Sequence, residues 1–275
     1  RTLGTEIVRK LVDGGFEEKA AKEAAESIAK AFGSIDKKHA PQHAENVVYG
    51  HEEWAAAMAL TDTLLKESRA APTDEEIASL QQDTVSLDIA MFGRMRAAKP
   101  ALNVDAAVSV SQLISTHEVA IESDYWTSLD DLAPIRSAGM GETEFAAAVM
   151  YGYLVIDIDS LVENLHGDRD LATASALALV DAIAKVGPGA MRSRFAQDTL
   201  PSYFRIEAGD PVYNHEAAFT APVDGDDLIA CSIERLKSHA SASYTTFGIE
   251  ARVWELSPEM PLTKALGELS ETLSG

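Results

Sequence analysis

The run from Phe145 to Ile158, FAAAVMYGYLVIDI, is apolar, aromatic and β-branched with a single charge, and predicts a central β-strand. A buried strand needs partners, and the chain supplies candidates. Tyr203 to Ile206 and Ala251 to Leu256 have the same character, Val47-Val48-Tyr49 is a shorter version, and Val119 to Trp126 is extended. Helical patterns lie between them. Leu3 to Leu11 and Ala20 to Phe32 repeat apolar residues at three- and four-residue intervals, with Gly14-Gly15 as a stop. His51 to Leu65, Leu171 to Val186 and Ile229 to Ser238 continue the series. Pro72-Thr73-Asp74-Glu75-Glu76 sets a capping residue before acids that favour the positive end of a helix dipole. Asp88 to Met95 and Ala106 to Ile114 fit a buried helix or a buried strand equally, because periodicity does not separate the two in short apolar runs. Pro, Ser and two glycines in Leu129 to Gly141 suggest a projecting loop or hairpin. Strands interleaved with helices, without an internal repeat, give an α+β fold.

The chain has 275 residues and 46% hydrophobic content, enough core for one large domain or two modest ones. No run reaches the roughly 18 apolar residues of a membrane span, and the start RTLGTEIVRK lacks a signal peptide's apolar segment. A cytoplasmic protein without a membrane partner is expected. The single cysteine, Cys231, excludes an intramolecular disulfide and a cysteine-cluster metal site, and is expected to be a small buried hydrophobe. The net charge of −21 argues against a chain that coats nucleic acid over its whole surface, since phosphate binding draws on lysine and arginine.

Signs of catalysis are sparse. His39 and His43, with His51, Glu52 and Glu53 following, give an H-x3-H spacing that would set two imidazoles on one helical face for zinc. Pro41 between them disfavours a continuous helix, and the HExxH order is missing. A metal-dependent hydrolase using His39, His43 and Glu52 is therefore a rival reading, and neither a metal nor another cofactor is expected. Gly187-Pro188-Gly189-Ala190 lacks the Gly-Lys-Thr ending of a triphosphate loop, and Ser238 to Ser243 is expected to be a surface loop. An enzyme is not expected.

The stretch from Asp88 to Leu132, DIAMFGRMRAAKPALNVDAAVSVSQLISTHEVAIESDYWTSLDDL, is too idiosyncratic for a generic buried element. Together with Gly141-Glu142-Thr143-Glu144-Phe145, Tyr151-Gly152-Tyr153 and Asn164, it resembles the CRISPR-associated CasC family, and weaker similarity covers nearly the whole chain. Members of that family form the repeated backbone of type I-E Cascade. The resemblance implies a modified RRM-like, ferredoxin-like palm from residues 1–33 and 150–275, a helical fingers insertion with part of the palm in 34–118, and a thumb hairpin in 119–149. It also implies the partners: a guide crRNA, target DNA reached through the guide, further copies of the chain, and other Cascade subunits, among them the small and large subunits, the guide-processing endoribonuclease and a CasD-type subunit. In the family, an opening β-strand and a basic segment precede the point where this sequence starts, so the richest lysine and arginine segment is expected to be absent from it. Arg1 is counted among the expected RNA contacts.

Further contacts are expected on residues whose chemistry suits them. Arg192-Ser193-Arg194-Phe195 follows the helix-ending glycines, and its guanidinium forks and serine hydroxyl suit either phosphate oxygens or a solvated loop. The family usually has Gly-Lys-Gln-Asn-Ser-Phe here, so positive charge persists while the donors change. Phe92-Gly93-Arg94-Met95 combines a flexible backbone, an exposed cation and a polarizable side chain, and the family carries this string beside its guide, which places Arg94 and Met95 near RNA. Trp126, Thr127 and Met140, with Tyr125 adjacent, flank the thumb and are expected to stack on a base or to pack against the palm. His117 is expected to be a hydrogen-bonded structural histidine.

Overall fold

The computed structural model describes residues 2–80, 86–129, 137–187, 189–190, 192–196 and 198–274. Helices α1 (Leu3–Asp13), α2 (Glu18–Lys30), α3 (His51–Glu67), α4 (Asp74–Ser79) and α5 (Leu87–Phe92) come first. Strands β1 (Val108–Val110), β2 (Ile114–Ser115), β3 (Glu122–Leu129), β4 (Ser137–Phe145), β5 (Met150–Tyr151) and β6 (Leu154–Ile156) follow. Then come α6 (Ile158–Asn164), α7 (Arg169–Lys185), α8 (Arg192–Phe195), β7 (Arg205–Ala208), α9 (Leu228–Phe247), β8 (Arg252–Glu255) and α10 (Leu262–Ser274). The described sheets are two-stranded, so this is an α+β architecture in which helices carry most of the packing. Among the described residues no helix is long and apolar enough to cross a membrane. Two compact units result, one of Arg1–Ser109 with Ile156–Ala176, the other of Val110–Val155 with Leu177–Gly275.

In the first unit, the four-residue spacing of Leu3, Ile7 and Leu11 forms one stripe of α1. It packs on Ala21, Ala24, Ala25 and Ile28 of α2 and on Ala57, Leu60 and Leu64 of α3, with Phe32 closing the cluster. Alanine on α2 lets the helices approach closely. Gly15 turns the chain between α1 and α2 at φ +94°, which a side chain would strain. Thr73 caps α4 by accepting from the Glu76 N–H at 3.3 Å while Glu76 accepts from the Thr73 N–H at 2.7 Å, the reciprocal box expected of that start.

In the second unit, β7 and β8 pair antiparallel with Ile206 opposite Trp254, and both bury against Ala265 and Leu269 of α10. Glu207 on β7 sits among polar partners. Burial by itself would raise its carboxyl, but the His215 ring 3.5 Å away and hydrogen bonds of 2.5 Å from Tyr244 and from Arg205 outweigh it and hold the carboxyl at about 2.

Three expectations are corrected. Among the described residues Val47-Val48-Tyr49 pairs with no strand, and it runs as irregular chain into α3. Phe145 to Ile158 is not one strand: β4 pairs with β3, β5 with β2 and β6 with β1. No residue from Phe145 to Ile158 is buried, so the apolar content of the run marks neither its burial nor how many ladders it serves. Ser238 to Ser243 lies inside α9, whose stripe Ser232, Leu236, Ala240 and Tyr244 carries the helix through the serines. Cys231 is half-buried.

Candidate nucleic-acid interface

Strands β3 and β4 form a ladder that is exposed at every β3 position. Residues directly opposite share a face, because side chains alternate along a strand. One face carries Ser123 with Glu144, Tyr125 with Glu142, and Thr127 with Met140. The other carries Glu122 with Phe145, Asp124 with Thr143, Trp126 with Gly141, and Ser128 with Gly139. The register therefore separates Trp126 from Thr127 and Met140, which lie back to back. Tyr125 joins Met140, donating its hydroxyl to the Met140 Sδ at 3.4 Å. A two-residue alternation already visible in Tyr125-Trp126-Thr127 is the signal for this split.

Large apolar groups remain in solvent on both faces. Trp126 is 44% exposed and Met140 is 65% exposed, with Tyr125, Leu129 and Phe145 also open. The described hairpin residues include Glu122, Asp124, Glu142 and Glu144 but no lysine or arginine. Such a blade repels phosphates and offers rings and a thioether, chemistry suited to base faces. Residues 130–136 of the expected loop lie outside the described residues.

The root of the hairpin is fixed by hydrogen bonds. The Thr116 N–H donates to the Val149 carbonyl at 3.0 Å, and the Val149 N–H donates to Nε2 of His117 at 3.1 Å. An accepting Nε2 puts the ring proton on Nδ1, which donates to the Glu118 carbonyl at 2.7 Å. Ser232 of α9 donates to the Thr116 hydroxyl at 2.8 Å. His117 is the hydrogen-bonded structural histidine that the sequence suggests.

Arg192 and Ser193 are exposed, and Arg192–Phe195 is a single helical turn rather than a loop, with Nε of Arg192 donating to Asp198 at 2.6 Å. The ion pair is solvent-facing, so its hold on the guanidinium is weak. The side chain of Arg194 and all of Arg1 lie outside the described residues.

Arg94 requires a correction. Expected as an exposed cation, it is buried in the first unit, with Nη1 donating to Oε2 of Glu53 at 2.8 Å and Nε to the Leu102 carbonyl at 3.1 Å. Arg96, 1% exposed, donates to the same Glu53 oxygen at 3.0 Å and lies near the rings of Phe32 and Tyr49. Glu53 also accepts from the Gly50 N–H at 2.9 Å, so one carboxylate caps α3 and gathers two guanidinium groups. Gly93 has φ +74°, and a Cβ there would lie 2.9 Å from the Val104 oxygen and the Ala106 nitrogen; the next residue, Arg94, forms an isolated antiparallel bridge with Val104. Arg94 and Arg96 point inward, and Met95 between them is 82% exposed.

The histidines do not converge. Nδ1 of His39 pairs with Asp36 at 3.1 Å, whereas His43 is buried with Nδ1 at the Ser34 carbonyl and Nε2 against the Tyr49 hydroxyl. Burial pushes the His43 ring below its ordinary pKa. Glu52 faces solvent, and among the described residues no group of acids, histidines and cysteine is arranged to hold a metal.

Two solved structures share this architecture. A chain of a "CRISPR RNA-guided surveillance complex, pre-nicking" is 21% identical, with a TM-score of 0.79 over 100% of this chain and 83% of that one. A chain of a "CRISPR RNA-guided surveillance complex" is 17% identical, with a TM-score of 0.67 over 99% and 80%. At these identities the likeness speaks for the fold. No curated protein matches. The Cas family model described as CT1975-like protein matches residues 1–272, nearly the entire sequence, and the chain belongs to that family.

Proposed function

We propose that the protein is a non-catalytic RNA-binding backbone subunit of a type I-E CRISPR Cascade. Copies polymerise head-to-tail along a guide crRNA, in a cytoplasmic ribonucleoprotein that includes other Cascade subunits and meets target DNA through the guide. In this reading the β3–β4 hairpin is the thumb, helices of residues 34–118 are the fingers, and the rest is a modified RRM-like palm. The observation that carries it is the hairpin itself: a ladder with Tyr125, Trp126, Leu129 and Met140 in solvent on its two faces. Apolar groups so displayed call for a partner, and the acidic strands favour contact with bases over phosphates. Sugar and phosphate contacts elsewhere, Arg192 and Arg194 among them, would hold the guide without reading sequence, while thumb side chains interrupt its stacking and leave the intervening bases open for pairing.

The guide is expected to accompany the protein. Preparations expressed together with the other subunits and a guide should absorb in excess near 260 nm, and nuclease digestion should leave RNA protected at regular intervals. Assembly of the subunits around a chain that carries no RNA would support instead a scaffold that never touches nucleic acid, as the −21 charge taken alone suggests.

A further inference from the structure

Trp126 and Tyr125 are adjacent exposed aromatics, yet their surroundings differ. On the Trp126 face, β4 sets Gly141 directly opposite, with Gly139 two residues to one side and Thr143 two residues to the other. A Cβ at Gly141 would lie 2.9, 3.1 and 3.2 Å from Cζ2, Cε2 and Nε1 of Trp126, three adjacent atoms of the indole. A Cβ at Gly139 would lie 4.0 Å from Cζ3, farther around the same ring and in ordinary contact. The indole therefore rests on a strip of β4 that carries no side chains. Neither glycine has a positive φ, so the backbone has no need of glycine at either place. What position 141 excludes is a methyl group under the ring.

We propose that Gly141 is a positioning residue: by carrying no side chain it lets the Trp126 indole lie down on β4, which leaves the outward π-face open as a platform for one planar nucleobase. This rests on the RNA-binding reading of the hairpin. The platform is separate from the Tyr125–Met140 pair, because the register sets the two on opposite faces. The hairpin is thus a two-sided blade. An indole lifted by a side chain at 141 loses its seat and points an edge rather than a face at its partner, and stacking energy depends on face overlap.

The matched glycines supply the test. The full-length chain and its Gly141→Ala, Gly139→Ala, Trp126→Ala and Trp126→Ala/Gly141→Ala variants are titrated with a single-stranded RNA oligonucleotide at fixed salt, with thermal melts alongside. Trp126→Ala and Gly141→Ala should each weaken binding at least about fivefold, the lower end of what one stacked base contributes. Gly139→Ala should bind within about twofold of the unaltered chain, and Gly141→Ala should cost nothing further once Trp126 is gone. A Gly141→Ala variant that binds like the unaltered chain while Trp126→Ala does not would overturn the positioning role and leave the RNA reading standing. Equal losses from Gly141→Ala with and without Trp126, as a folding defect would give, would overturn it as well. An unaltered chain that binds no RNA, or a Trp126→Ala variant without effect, would remove the platform and count against the RNA reading itself.

Discussion

At the scale of single residues, the Glu53 carboxylate organises the first unit, because it is the shared acceptor for two buried guanidinium groups and the Gly50 N–H. Removing it strands two cations away from water. Glu53→Ala should therefore lower the unfolding free energy by about 3–5 kcal/mol, read from urea unfolding, whereas Met95→Ala, at an exposed position beside it, should stay within about 0.5 kcal/mol. Sequence alone points the other way for Arg94, since arginine is normally at the surface and its partner lies 41 residues earlier. Glu207 gives the second unit a pH dependence. Its folded carboxyl, at about 2, lies below the ordinary glutamate value, so its contribution is complete above about pH 4.5 and is lost as pH falls toward 2. The shift corresponds to about 3 kcal/mol at most. Acid unfolding of the unaltered chain should steepen in that window, and Glu207→Gln, destabilised at neutral pH, should show a shallower slope there, the remainder coming from other lowered carboxyls such as Glu76.

At the scale of elements, the hairpin and the β7–β8 sheet hold tryptophans in opposite circumstances. Trp254 is buried against α10, so Trp254→Ala should cost about 3–5 kcal/mol of folding stability. Trp126 is open to solvent, and Trp126→Ala should shift the melt of the free chain by less than the equivalent of about 1 kcal/mol. Comparable losses at the two sites would mean that Trp126 is core. What the sequence made legible follows the range of the forces involved. The helices α1, α2, α3 and α7 are local matters of spacing, capping and glycine stops, and their expected extents lie close to those observed. Ladder partners are chosen over long separations, which is why Phe145 to Ile158 read as one strand and became parts of three. The serines of α9 look like a loop until the buried stripe that continues through them is seen. On the hairpin, the sequence leaves Trp126 and Met140 either stacking on a base or packing against the palm; their exposure and their separation onto two faces need the fold and its register.

At the scale of the whole molecule, the proposed reading requires a chain of net charge −21 to hold a polyanion through cations outnumbered by acids, 23 to 44, so each contact should be conspicuous in the salt dependence. Arg192 already has an acidic neighbour, Asp198, whose removal should free it; Asp198→Asn is expected to tighten RNA binding modestly, by less than about tenfold. The central claim is that the chain binds RNA through phosphate contacts and sequence-blind stacking. A titration of single-stranded RNA of two unrelated sequences across a range of salt tests it most directly. The account predicts similar affinities for both sequences, a linear fall of log affinity with log salt, and a slope smaller by about 1.4 in Arg192→Ala/Arg194→Ala, about 0.7 for each phosphate that an arginine no longer neutralises. Binding that is absent, confined to one of the two sequences, or unchanged in slope by the double variant would contradict it.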